Sequence, residues 1–131
     1  MDIEVELSRI VINEQSDSQL IVLKEKDGDR SIPIVIGIVE IFAIDRRLKG
    51  IEPQRPLTHD LLANVIEALD ARIDRIVVND LREHTFYAQI HLQHEGRRVI
   101  VDSRPSDAIA VGVAQNAPIF VADHVLDQAS T

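Results

Sequence analysis

The feature that most constrains this chain is its opening alternation: Ile3, Val5 and Leu7 stand between Asp2, Glu4 and Glu6 without a break. A period of two buries one face only if the backbone is extended, so residue 2 to about Ile12 reads as a strand. The pattern returns over Thr85–Gln93. There Phe86, Ala88, Ile90 and Leu92 fall on one side, and Tyr87, Gln89, His91 and Gln93 on the other. Strands of this kind require a sheet with one covered face and one wetter face.

Further strands are expected at Gln19–Lys26, Ser31–Ile36, Arg72–Asn79, Arg97–Asp102 and Ile119–Val121. Asp27-Gly28 is a hairpin turn, because positive φ suits Gly and is tolerated by Asp, and the strands Thr85–Gln93 and Arg97–Asp102 are joined across Glu95-Gly96. Pro33 has no backbone donor and belongs at a sheet edge or bulge. Helices are expected from Gly37 to about Lys49 with Gly50 as cap, from Thr58 (as N-cap) through the apolar stripe Leu61, Leu62, Val65, Ile66 and Leu69, and from Pro105 to about Gln115. The tail from Ala129 is expected to fray. The fold class is α+β: a mixed or antiparallel sheet in a single domain over residues 1–131. The order strands-then-helix occurs twice, which suggests duplicated three-strand-plus-helix units around a central helix.

A chain of 131 residues is long enough for one core. No apolar run reaches the roughly 20 residues that span a bilayer, the acidic start is unlike a signal peptide, and there is no cysteine; a cytoplasmic protein without a membrane partner is expected. The net charge of −8 and the four aromatic residues argue against a broad nucleic-acid-binding surface. Eleven of the 14 basic residues are nevertheless Arg, whose planar fork suits phosphate and carboxylate. Most of these are read as surface ion pairs.

Chemistry-bearing side chains gather in two segments. Arg55-Pro56-Leu57-Thr58-His59-Asp60 carries a cation, an imidazole and a carboxylate at a helix start. Asp102-Ser103-Arg104-Pro105-Ser106-Asp107 joins a strand end to a helix N-terminus, where free backbone N–H groups favour anions. Asp102 and Asp107 are suited to a divalent cation, with Arg104 aimed at a phosphate oxygen. Helix capping and Arg–Asp pairing account for the same residues without any function. Glu40, amid Ile38, Val39, Ile41 and Phe42, needs a partner or a polar side to face, and Asp80 is placed to join it. His91 and His94 point to opposite faces of a strand, which disfavours a zinc pair. No P-loop, GxGxxG or Ser–His–Asp signature is present.

The two segments, together with Ile32-Pro33-Ile34-Val35-Ile36-Gly37 and Glu40, Thr85-Phe86-Tyr87-Ala88 and Ala117-Pro118-Ile119-Phe120, resemble the signature segments of the bifunctional nuclease family in order and spacing. The resemblance covers nearly the whole chain. It implies an α+β fold, homo-oligomerisation and a nuclease acting on DNA and RNA. Relative to many members it also implies bulkier residues around Glu40 and no C-terminal extension. Carried over by position, His59, Asp60, Asp102, Arg104 and Asp107 are the catalytic candidates and Arg55 and Ser106 the substrate-binding ones. Asp60, Asp102, Asp107 and Glu40 are the candidate ligands of Mg²⁺ or Mn²⁺ in a metal-assisted hydrolase. A homodimer is the expected assembly, since Pro33 marks one sheet edge and two-fold dimers are the commonest closed form. The competing expectation is a non-catalytic oligomeric module that binds a small anion or a partner protein.

Overall fold

A computed structural model describes residues 1–16 and 18–130. Seven strands form one sheet: β1 (Asp2–Val11), β2 (Gln19–Glu25), β3 (Ser31–Ile36), β4 (Ala71–Arg82), β5 (Thr85–His94), β6 (Arg97–Ser103) and β7 (Ile119–Ala122). Their order is β3-β2-β1-β7-β4-β5-β6. All neighbours run antiparallel except β4 and β7, so the sheet is mixed. Four helices accompany it: α1 (Ile38–Leu48), α2 (Thr58–Ala68), α3 (Pro105–Val113) and α4 (Asp123–Ala129). The α+β expectation holds. None of these helices is long and apolar enough to cross a membrane.

The alternation sorts the sheet as period two demands. Ile21, Leu23, Ile32, Ile34, Ile36, Ile76, Val78, Ala88, Ile90, Ile119 and Val121 are all buried on the helix-bearing face. Val77 is the exception. It is buried on the far face, where its register partner Phe120 lies under the Arg75 guanidinium, 4.2 Å from the ring centroid. Helix α3 is the buried one, with Ala108, Ile109, Ala110, Val111 and Gly112 against β4, β5 and α1. Its small residues allow that: a Cβ on Gly112 would stand 2.8 Å from Ile76.

Two local expectations need correction, at the β2–β3 turn and at the start of α2. The β2–β3 hairpin forms, but residues 26–29 make a longer loop and neither Asp27 nor Gly28 has positive φ. Gly28 instead leaves room for the Glu25 carboxylate, which stands 2.5 Å from where a Cβ would be and would have to shift for any other residue. Thr58 is the first helical residue of α2 rather than its cap. Leu57 is the cap, extended at φ −83° and ψ 177°, and Asp60 accepts its N–H at 3.1 Å. The apolar stripe of α2 is largely uncovered: Ala63 is buried, but Leu61, Leu62, Val65 and Leu69 are exposed. A helix with no sequence expectation, α4, follows β7, with Val125 and Leu126 fully buried; it ends at Ala129, where the expected tail begins, and Thr131 lies outside the described residues. Arg30 ties that helix to the β2–β3 hairpin through Glu25, Asp123 and Asp127.

Pro33 does lie in an edge strand, since β3 has no neighbour beyond β2. The opposite edge, β6, carries no proline.

Candidate functional site

The two charged segments meet. Arg104 is the N-cap of α3, held extended by its place between the end of β6 and Pro105. Asp107 follows in the first turn of α3 and His59 stands in the first turn of α2. The His59 Nε2 and Asp107 Oδ1 atoms are 2.9 Å apart. Arg104 donates to the other Asp107 oxygen from Nε at 2.9 Å, and its Nη2 stands 2.8 Å from the same oxygen. The same Nη2 donates to Glu40 Oε1 at 2.9 Å, 64 positions away in the sequence. Glu40 lies in the first turn of α1, and α1 packs directly on α3. The result is a chain Glu40–Arg104–Asp107–His59 strung across the N-terminal turns of three helices.

This chain lines an open groove of about 630 Å³ with Val39, Thr58, Leu62, Ile90, Val101, Asp102, Ser103 and Val111. One wall is apolar and the other charged. Gly37 is part of the construction: a Cβ there would stand 2.9 Å from a Glu40 oxygen, so only glycine lets that carboxylate fold back to reach Arg104. Burial by itself would raise the Asp107 carboxyl. The hydrogen bonds from His59 and Arg104 outweigh it and hold the group below the ordinary carboxylate range. Arg104 is held above its usual value, first by its bond to Asp107. An ionised carboxylate only accepts, so in a neutral His59 ring Nε2 carries the proton and Nδ1 the lone pair.

The remaining expected residues divide. Asp102 borders the groove at the end of β6 but pairs with Gln89, so its side chain is on the far face; it is exposed, with no ion pair among the described residues. Asp60 turns away, to Arg47 at 2.8 Å and the Leu57 N–H. Arg55 is exposed and makes no side-chain bond among the described residues. Ser106 is buried and lines a neighbouring cleft with Gly37, Phe86 and Pro105. Asp80 does not join the site but pairs with Arg82 at 2.6 Å and His124 at 3.4 Å. His91 is buried on the far face of the sheet, and burial pushes it below its usual pKa. Sequence reading missed Arg47 and the apolar wall of Leu62, Ile90, Val101 and Val111. Arg47 gave no local signal, because its partner is on another helix.

Each carboxylate offered for a metal is thus engaged by an arginine, Asp102 excepted. Among the described residues no three His, Asp or Glu side chains converge as a metal ion requires. As arranged, the set does not fit Mg²⁺ or Mn²⁺, since a cation would have to displace Arg104 from Glu40 and Asp107.

The model of the bifunctional nuclease domain family matches residues 21–131. Two uncharacterized proteins, from two strains of Mycobacterium tuberculosis, are each 39% identical over 126 residues, covering 96% of this chain and 75% of theirs. A protein of Oryza sativa subsp. japonica named Bifunctional nuclease 2 is 24% identical over 114 residues, covering 84% of this chain and 35% of its own length.

Proposed function

This chain belongs to the bifunctional nuclease domain family, and from that premise we propose that it hydrolyses phosphodiester bonds in DNA and RNA at the groove beneath Arg104. The observation that carries the proposal is the Glu40–Arg104–Asp107–His59 chain. Asp107 fixes the His59 ring and its tautomer, as a carboxylate does for a general-base histidine. A water on His59 Nδ1 attacks phosphorus, its proton passing to the ring. The phosphorus–oxygen ester bond breaks, and the leaving oxygen takes the proton back from the imidazolium. Arg104 Nη1 makes no bond among the described residues. It donates to a non-bridging oxygen as charge develops there. Three helix N-termini add their dipoles to the same place.

No step is routed through a metal. The test is hydrolysis of a fluorogenic oligonucleotide by highly purified protein with and without EDTA, beside His59→Ala. Activity that survives EDTA and disappears in His59→Ala supports the reading. Activity lost in EDTA and restored by Mg²⁺ or Mn²⁺ replaces it with the metal-assisted mechanism. Activity indifferent to His59→Ala belongs to a contaminant.

One observation favours the binding module: the groove sets Glu40 and Asp107 against a single arginine. Absence of turnover together with binding of a small anion would decide for it.

A further inference from the structure

The two edges of the sheet are treated differently. At β3, Pro33 removes a donor. At β6, the run Arg97-Arg98-Val99-Ile100-Val101-Asp102-Ser103 pairs with β5 along its whole length without a bulge. An unprotected, apolar-centred edge is a template for another strand. All seven residues have an accessible side chain, with Val99, Ile100 and Val101 at 38%, 52% and 41%.

Which atoms face outward follows from the hairpin. Glu95 and Gly96 have φ of 51° and 75°, a two-residue turn with both central residues left-handed, closing on the pair His94–Arg97. Such a turn closes on a hydrogen-bonded pair, and hydrogen-bonded pairs then alternate along the ladder. Arg97, Val99, Val101 and Ser103 therefore spend their backbone groups on β5. The N–H and C=O of Arg98, Ile100 and Asp102 point to the open edge. Those three read cation, apolar, anion. Antiparallel self-pairing centred on Arg98 or Asp102 sets like charges opposite each other. Centred on Ile100, it sets Arg98 opposite Asp102 twice.

We propose that two copies of this chain pair antiparallel along β6 about a two-fold axis at Ile100, so that Arg97 of the partner subunit enters the site groove beside Ser103. Each outward pair exchanges two backbone hydrogen bonds, and the sheet runs continuously through the dimer. The uncovered side chains of α2 extend the contact. Leu62 and Val101 line one groove, so the apolar face of the helix continues onto the edge strand. That supplies the area which a strand pair alone lacks. Arg97 and Ser103 pair with His94 and Ala88, on the helix-bearing face where the groove lies. In this register the partner's Arg97 sits directly across from Ser103, with Cβ atoms about 4.5–5.5 Å apart. Within its own subunit Arg97 has no ion pair among the described residues. Its arrival adds a cation to a groove that otherwise holds more acid than base. Only this consequence for the site rests on the phosphodiester reading; the pairing does not.

Mass and cross-linking test the pairing without reference to activity. The wild type should sediment at twice the 14.7 kDa chain mass at micromolar concentration. Arg98→Glu should weaken the dimer about tenfold or more by placing acids opposite each other, and adding Asp102→Arg should restore it. Ile100→Pro removes an outward N–H that β5 does not use, and should give a monomer; if it melts early, the charge swap stands in for it. The chain has no cysteine, so Arg97→Cys with Ser103→Cys should yield a covalent dimer on mild oxidation. Arg97→Cys with Val101→Cys, two residues out of register on the same face, should not. A monomeric wild type, a dimer indifferent to Arg98→Glu, or equal cross-linking of the two cysteine pairs would overturn the proposal.

Discussion

Asp107→Asn separates a positioning carboxylate from a helix-capping one, and the geometry sets the size of the effect. Asp107 accepts from His59 and from Arg104 Nε, both at 2.9 Å, with Arg104 Nη2 in ion-pair contact at 2.8 Å. Its side chain is 32% exposed. A buried charge-assisted bond contributes about 1.5–3 kcal/mol and an exposed pair about 0–1. The first turn of a helix adds about 0.3–1 kcal/mol for the negative charge. Asparagine keeps one acceptor and turns an NH₂ towards the remaining donor, so a loss of about 1–2.5 kcal/mol is expected. For a domain of this size that lowers the melting temperature by about 4–10 °C. Crowding among carboxylates would have given the opposite sign, but here Asp107 has the Arg104 guanidinium and a His59 ring nitrogen for neighbours. Hydrolysis should fall by about 10²–10⁴-fold, because His59 loses the group that fixes its tautomer.

The same variant carries a pH signature. Asp107 is depressed in the folded chain, so the unfolded chain binds the proton more readily. Its contribution is complete above the ordinary carboxylate value of about 3.9 and declines as the pH falls through the lower, folded value. The gap in melting temperature between wild type and Asp107→Asn should therefore be constant from neutral pH to about 5 and narrow below 4. Calorimetry across that range, with the hydrolysis assay at neutral pH, checks both halves. A variant that melts and cleaves like the wild type would refute the reasoning.

Arg104→Lys should keep the charge but lose the fork that reaches Glu40 and Asp107 together, lowering kcat about 10²-fold with a melting temperature within a few degrees. Gly37→Ala should push the Glu40 carboxylate off Arg104 at little cost to stability, because the obstructing atoms end a flexible side chain; a reduced rate at unchanged melting temperature is the expected pair of readings. Binding of a single-stranded oligonucleotide should depend weakly on salt, with a slope near −1 to −2 in log–log form, as about two phosphate contacts require. A slope of −5 would mean a basic surface engages the substrate elsewhere.

The strands could be read from the sequence because alternation is a local property and Ile, Val and Leu supply it densely. The helix starts were less visible. Thr58 has the side chain of a cap, yet its backbone is already helical. Asp60 serves the N-terminus from inside by accepting the Leu57 N–H. Helix α4 has only seven residues, too few for a periodic signal, and depends on Arg30 from the far hairpin. The stripe on α2 was read correctly as apolar, but amphipathicity does not say whether the covering surface comes from the same chain. For the site, the motifs indicated which residues carry charge. They could not indicate that Asp60 turns to Arg47 while Glu40 crosses 64 positions to Arg104, since both contacts depend on how α1 packs.

That distinction also explains how an acidic chain can be read as acting on a polyanion. Net charge governs approach over distances beyond a Debye length of about 8 Å at physiological salt, whereas a phosphate in the groove responds to groups within a few ångströms. There the acids are already committed: Glu40 and Asp107 to Arg104, and Asp107 also to His59. Their charge holds the arginine and the imidazole in place. What the groove then presents to an incoming phosphate is the unused Nη1 of Arg104 and the N-terminal ends of three helices. Asp102 has no ion pair among the described residues, and as the register partner of Gln89 it stands on the open edge of β6 with its side chain on the far face. In the paired arrangement it faces Arg98 of the partner subunit while the partner's Arg97 enters beside Ser103. Dimerisation would thus satisfy a charge on the far face and add an attractive one to the groove, so that the assembly supplies part of the site's electrostatics.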